Sequence, residues 1–373
     1  MKSPESAAEP QPAPAPRLAA LDAFRGLTVL LMWLVNNVSL DTATPKHLTH
    51  ADWSGRVHLA DVVFPWFLLA VGVALPFAVA GQKRRGERWL SVLMKILRRT
   101  VSLVLLGILV DSTVNHAWTP GLGVLQVIGL AYFVAALLSP LHTLARAVCA
   151  AALLAAHSAL ILLWDVPGFG AGHITEGANA VAFLNEIYLA PWGMKGLISV
   201  VPTAAMVLIG TVLGDLFRQK GLTVARSALV CGLIGVPLLV SGYALGSVLP
   251  MSKPLWTASY ILYTAGLGAL LLAALRIAVD GTRQGTKLAF ALIVPGSNAI
   301  TAYVVPILFK INTLQGWTVM TATGRATVES ALQTWCYALA GRVNGGWLYT
   351  LAYLALWWGV LYYLYRKQWF LRV

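Results

Sequence analysis

Charge is what this chain most lacks. Only 11% of its 373 residues are Asp, Glu, Lys or Arg, where a soluble domain carries about 25%. With 58% hydrophobic residues and a mean hydropathy of +0.73, that scarcity excludes an ordinary soluble globule. Acidic residues are scarcest: 14 against 27 Lys and Arg, a net charge of +13. In a soluble protein this excess would point to nucleic acid. Here the basic residues sit in short loops between apolar runs, where they read as charge kept on the cytoplasmic side, and no nucleic-acid partner is expected. A second use for some of them is to bind an anionic, phosphate-bearing ligand at the cytoplasmic mouth. Cysteine is rare too: Cys149, Cys231 and Cys336 have no CxxC spacing, which indicates neither a disulfide framework nor a metal site. There is no Walker loop, no dinucleotide-binding GxGxxG after a strand, and no Ser-His-Asp signature. Residues 1–16 (MKSPESAAEPQPAPAP) lack an apolar h-region. They are expected to be a disordered tail rather than a cleaved signal peptide, leaving 17–373 as one transmembrane domain.

What is present is a series of long apolar runs, continuous rather than alternating, which argues for helices and against a β-barrel. The expectation is an all-α polytopic bundle in a lipid bilayer. About ten spans fall near 20–38, 58–80, 93–111, 122–140, 143–164, 196–217, 226–248, 256–278, 288–309 and 346–366. The basic block from Lys83 to Arg99 should be cytoplasmic. Alternation then puts the N-terminus and the tail with Arg366, Lys367 and Arg372 on the same side, and the loops 39–57, 111–121, 165–195, 249–255 and 310–345 outside. Residues 327–340 are short and polar for a span, and read as a re-entrant or interfacial helix. The 165–195 loop should pack over the outer mouth.

The richest stretch is Arg17–Pro76. Two apolar spans flank a polar loop rich in His and Trp, and carry Asp22, Arg25, Asn36, Asn37 and Asp61. Polar groups at membrane depth cost roughly a few kcal/mol each and are functional suspects. His50 reads either as a general base or as a solvated loop histidine. With His47 and His58 it makes a weak metal pattern, and no metal is expected. Asn36 and Asn37 end the first span, either as helix-ending residues or, for an amide beside a reacting carbonyl, as an oxyanion donor. Asp22 and Arg25 can pair on one helical face. Asp61, ahead of Phe64-Pro65-Trp66-Phe67, can orient His50 or hold two helices together. Gln126, Lys253, Trp256, Asn298 and Tyr303 are further polar groups at span edges, where helix–helix hydrogen bonding is the plainer reading.

These residues carry a resemblance. The blocks RLxxLDxFRGLTVLLMxxVNN from Arg17, HAxWxGxxxxADxVFPWFLxxVG from His50, GVLQxIGxxYF from Gly123, LWTxSYxLxxxG from Leu255 and PGxNAIxxY from Pro295 run in that order toward the C-terminal YRKQWF. The chain resembles the heparan-α-glucosaminide N-acetyltransferase family of transmembrane acetyltransferases and its bacterial relatives. The resemblance implies a multi-pass enzyme of the bacterial inner membrane. It would move acetyl from cytosolic acetyl-CoA to the amine of a glucosamine-type sugar on the periplasmic side. It puts His50 as catalytic base, directly or by carrying the acetyl group, and Asn36 as oxyanion donor, with Asp61 in the same block. Arg25, Arg98, Arg99 and Gln126 are the candidates for holding CoA, and Asn37, Trp53, Lys253, Trp256 and Asn298 for the acceptor. A homodimer is compatible with it, though no residue marks an interface. The chain departs from the family pattern at Val127, where an Arg is common, at Met194-Lys195-Gly196, where an acidic turn is expected, and at Pro306, where a His follows the tyrosine. An amino-sugar transporter and an O-acetyltransferase of envelope polysaccharide remain the competing readings.

Overall fold

The computed structural model describes residues 18–53, 55–322 and 324–371; the 1–16 tail and Arg372 lie outside them. The described chain is helical and alternates between two ends. Helices α1 (Ala19–Asn37), α2 (Leu59–Arg84), α3 (Trp89–Val114), α4 (Val124–Leu137) and α5 (Thr143–Leu163) come first. Two small hairpins, β1–β2 (Asp165–Val166, Gly170–Ala171) and β3–β4 (Ile174–Thr175, Ala178–Asn179), then lead through the short α6 (Ala180–Leu184). Helices α7 (Val200–Arg218), α8 (Val224–Leu245) and α9 (Ala258–Asp280) follow, then the short α10 (Gly285–Leu288), α11 (Phe290–Gly296) and α12 (Ala299–Phe309). A hairpin β5–β6 (Thr318–Thr321, Gly324–Thr327) precedes α13 (Val328–Arg366).

Among the described residues seven helices are long and apolar enough to cross a membrane, or eight if α11 and α12 count as one bent element. Of the expected spans, α3 falls short because Lys95, Arg98, Arg99 and Asp111 load it with charge, and α4 because it has only 14 residues. The run expected as a straight span at 288–309 is broken, with α11 and α12 meeting at 75°. Pro295, Gly296 and Ser297 are poor helix residues there, and α11 lies across α1. The two are so close that a Cβ on Gly26 would stand 1.6 Å from the Leu292 carbonyl oxygen. At the other end Gly341 (φ 76°, ψ 169°) interrupts α13. Residues 328–340 fold back on the following turns, with Gly345 against the Cys336 carbonyl.

Helices α2 and α7 pack through facing glycines at the centre. A Cβ on Gly72 would lie 2.1 Å from the Val207 carbonyl oxygen. Around this core, prolines pose a physical problem. A proline has no N–H, so it orphans the carbonyl four residues earlier, and apolar surroundings offer that carbonyl nothing. Three times another helix supplies an aromatic donor. Pro65 orphans Asp61, whose carbonyl accepts from the Tyr260 hydroxyl at 2.6 Å. Pro295 orphans Ala291, which accepts from Trp358 Nε1 at 2.9 Å. Pro306 orphans Ala302, which accepts from Trp33 Nε1 at 2.8 Å.

Trp33 is 2% exposed, so Trp33→Phe should strand the Ala302 carbonyl and cost about 1–3 kcal/mol, read as a lower Tm in detergent. In a Pro306→Ala background, where a helical N–H returns to that carbonyl, the same change should cost clearly less. Equal costs in both backgrounds would refute the pairing.

Candidate active site

Where α2 begins, the chain needs a partner for the free N–H groups of a helix start. Asp61, in the first turn, turns back: its Oδ2 accepts from the backbone N–H of His58 at 3.1 Å and of Ala51 at 3.1 Å. That fixes the loop so that His50 Nδ1 lies 2.9 Å from Asp61 Oδ1. The loop is pinned at three other points. His58 Nδ1 donates to the Thr49 carbonyl at 3.1 Å. Trp53 Nε1 donates to the Ile174 carbonyl at 2.8 Å, which ties β3 over this mouth. The Gly55 N–H donates to the Met251 carbonyl at 2.9 Å.

That last bond joins the His50 loop to the 249–257 loop. Lys253 therefore stands 3.5 Å from Asp61 Oδ1 and 3.1 Å from His50 Nδ1. The ammonium and the imidazole face one carboxylate that is 3% exposed, while the imidazole is 57% exposed. The carboxylate can only accept and the ammonium can only donate, so Nδ1 serves one of them at a time: with a proton it donates to Asp61 and leaves the lone pair on Nε2, and without one it accepts from Lys253. Burial pulls the Lys253 ammonium below the usual lysine range, and the charge of Asp61 opposes that shift. Trp256 holds an unusual left-handed backbone (φ 52°) and packs edge-on to Phe64 at 5.0 Å between centroids. His157, 2% exposed, holds this loop by donating from Nε2 to the Leu255 carbonyl at 2.8 Å.

Two cavities meet at this point. A vestibule of about 370 Å³ is lined by His50, Asp52, Arg56, Asp61, Lys253 and Trp256, among others. A mostly apolar cavity of about 220 Å³ runs from His50, Asn36 and Lys253 down past Phe67 and Ile128 to Thr28. His50, Phe64 and Lys253 line both. From Asn36 to Thr28 is eight residues of α1, roughly 12 Å of helix. The Asn36 side chain is exposed to the cavity and has no hydrogen-bond partner among the described residues. Its free amide and the apolar wall below it fit a thioester on a long flexible arm.

The other expected site residues divide. One turn beyond Thr28, Arg25 lies 3.6 Å from Asp22. Beyond Ile128, the Arg99 guanidinium covers the Tyr132 ring at 4.5 Å and buries an unpartnered Nε. Arg98, one position away on α3, is exposed. Four more of the expected residues lie outside both cavities. Gln126 is fully buried and lines neither cavity; its Nε2 donates to Asp111 Oδ2 at 2.7 Å and to the Gly121 carbonyl at 3.1 Å, bracing α3 to α4. Asn37 spends its amide on the Trp33 carbonyl (2.8 Å) and on Lys310 (3.2 Å), and meets only a small side recess. Asn298 sits at the opposite end, binding the Trp369 carbonyl at 2.9 Å and the Leu371 N–H at 3.1 Å. Trp53 anchors the loop rather than lining the vestibule. Conversely, Asp52, Arg56 and Tyr260 line the vestibule without having been expected there. The first two lie beside His50 in its sequence block, and that adjacency was the available signal. Among the described residues no cluster of His, Cys, Asp or Glu is placed to hold a metal ion.

Comparison with known proteins bears on this geometry. The human heparan-alpha-glucosaminide N-acetyltransferase is 26% identical over 360 residues, covering 78% of this chain and 52% of its own length. The mouse protein of the same name is 25% identical over 356 residues, covering 77% and 53%. The chain thus spans about half the length of these curated relatives. The family profile described as "Heparan-alpha-glucosaminide N-acetyltransferase, catalytic" matches residues 17–242, a range that holds His50, Asn36 and Asp61, and the chain belongs to that family.

Proposed function

We propose that this protein is a multi-pass membrane acetyltransferase that moves acetyl from acetyl-CoA to the amine of a glucosamine-type sugar, with His50 as general base. The observation that carries this reading is the shared wall: His50 borders both the vestibule, where Asp52, Arg56 and Asp61 stand, and the mostly apolar cavity that reaches Asn36. Acetyl-CoA supplies an acyl group already activated as a thioester. The vestibule takes the sugar. Its exposed Asp52 and the Trp256 ring suit an ammonium group and the apolar face of a pyranose.

His50 Nε2 takes the proton that the acceptor amine sheds as its nitrogen joins the acetyl carbon. Asp61 holds the imidazole in the tautomer that leaves Nε2 free and steadies the charged ring that forms. Lys253 keeps the Asp61 carboxylate ionised. Asn36 donates its amide N–H to the carbonyl oxygen as negative charge builds there. The carbon–sulfur bond breaks, and CoA leaves as the thiol once it regains a proton. Arg25, Arg98 and Arg99, beyond the far end of the cavity, are the cations offered to phosphates.

The same reading supplies the topology: ten crossings, counting α3, α4 and the bent α11–α12 pair, in a bacterial inner membrane. Both termini are cytoplasmic, and the His50 end faces the periplasm. The domain is continuous from residue 17.

His50→Ala should lower turnover by about 10²–10⁴-fold while CoA still raises the Tm of the purified protein; near-normal turnover would overturn the assignment. In Asp61→Asn the new amide donates to Nδ1 and pushes the ring proton to Nε2, so the rate should fall by up to about 10⁴-fold. An unchanged rate there would mean that Asp61 serves the loop alone. With labelled acetyl-CoA, glucosamine should accept label and a sugar with only hydroxyls should not. The reverse pattern would favour O-transfer, and no CoA response at all would favour transport.

A further inference from the structure

The last turn of α1 ends in a way that bears on Asn36. Helix carbonyls at a C-terminus need partners, and no left-handed residue caps this one, since Val38 is extended. Side chains do the work instead. Asn37 Nδ2 takes the Trp33 carbonyl at 2.8 Å, Thr350 Oγ1 takes the Asn37 carbonyl at 3.2 Å, and Lys310 Nζ takes the Asn36 carbonyl at 3.3 Å. The same ammonium donates to Asn37 Oδ1 at 3.2 Å and pairs with Glu329 Oε1 at 3.4 Å. Glu329 is fixed in turn by Gln315 Nε2 at 2.8 Å and the Tyr349 hydroxyl at 3.4 Å. Lys310 and Glu329 are largely buried, with side chains 22% and 14% exposed. Such a pair is a poor source of stability, because desolvation offsets the attraction. It also starts a π-helical turn, Lys310–Gln315, a departure that concentrates at functional sites.

We propose that Lys310, held by Glu329, is a positioning residue for Asn36: it clamps the Asn36 backbone so that the free side-chain amide stays aimed into the reaction cavity. Lys310 does not line that cavity. It lines the recess of about 60 Å³ behind it, which shares Met32, Asn36 and Tyr303 with the cavity wall. A cation at a helix C-terminus also opposes the negative end of the helix dipole. Through Glu329, the fold-back helix 328–340 is tied to the reaction centre. The inference rests on the catalytic reading of Asn36 given above.

A double-mutant cycle in purified protein tests it, with Lys310→Met, Asn36→Ala and the pair. Asn36→Ala should lose about 10²–10³-fold in kcat. Lys310→Met should lose about 10–100-fold, the scale of a misplaced catalytic group, with KM for both substrates and the Tm shift by CoA near wild type. The double variant should be no slower than Asn36→Ala alone, and Lys310→Arg should recover much of the rate. Losses that multiply in the double variant, or a Lys310→Met rate loss matched by loss of CoA-responsive protein, would overturn the proposal. If Asn36→Ala stays fast, the catalytic reading of Asn36 itself fails. If Asn36→Ala is slow and Lys310→Met is fast, only the positioning role fails.

Discussion

A backbone carbonyl without a donor, in surroundings that hold no water, is the constraint around which this molecule is arranged. An in-helix proline creates one, and in an apolar bundle only neighbouring protein groups can answer it. At Pro65, Pro295 and Pro306 the answer is a tyrosine or tryptophan from a different helix. A local chain-breaking residue thereby becomes a tertiary contact of fixed direction. Helices α2 and α9, α11 and α13, and α1 and α12 are registered against each other by these bonds rather than by apolar packing alone, which has little directional preference.

At Pro65 that constraint reaches the candidate site. The carbonyl it frees belongs to Asp61, whose carboxylate also holds His50. Tyr260 thus fixes the main chain of the residue whose side chain holds His50. Asp61 is bonded through its backbone oxygen on the protein side and through both carboxylate oxygens on the loop side. The His50 loop, which contains little regular structure, inherits its order from the rigid start of α2. The Gly55–Met251 bond then passes that order to the Lys253 loop.

That His50 meets Asp61 and shares a cavity with Asn36 was foreshadowed in the sequence, because each sits in a dense polar block next to a long apolar run and the family resemblance lies in those same blocks. That Gln126, Asn37 and Asn298 lie outside both cavities was not legible, for one reason. An amide at a helix edge looks alike in sequence whether it faces a ligand or completes a hydrogen-bond set, and all three complete one. Lys310 was passed over because a single lysine in a long outer loop resembles solvated charge; only folding brings it beneath α1. The break at 297–298 was hidden by hydropathy. The run remains apolar through the bend, and apolarity does not record direction. The charges on α3 had the opposite effect, since length argued for a crossing and composition against it.

The scarcity of acid explains why one pair stands apart from the rest. Six carboxylates sit in the long helices: Asp22, Asp61, Asp111, Asp215, Asp280 and Glu329. Asp22 pairs with Arg25, Asp215 with Arg146 and Arg218, Asp280 with Arg276, and Glu329 with Lys310. Asp111 takes the Gln126 amide. Those partners are arginine, lysine and glutamine side chains. Among the described residues, only Asp61 has as partner an imidazole, the side chain type that gains and loses a proton near neutral pH. That imidazole is also the one that opens on two cavities. A carboxylate this costly to bury is thus spent on a partner of the kind that can change charge, at the junction of two chambers.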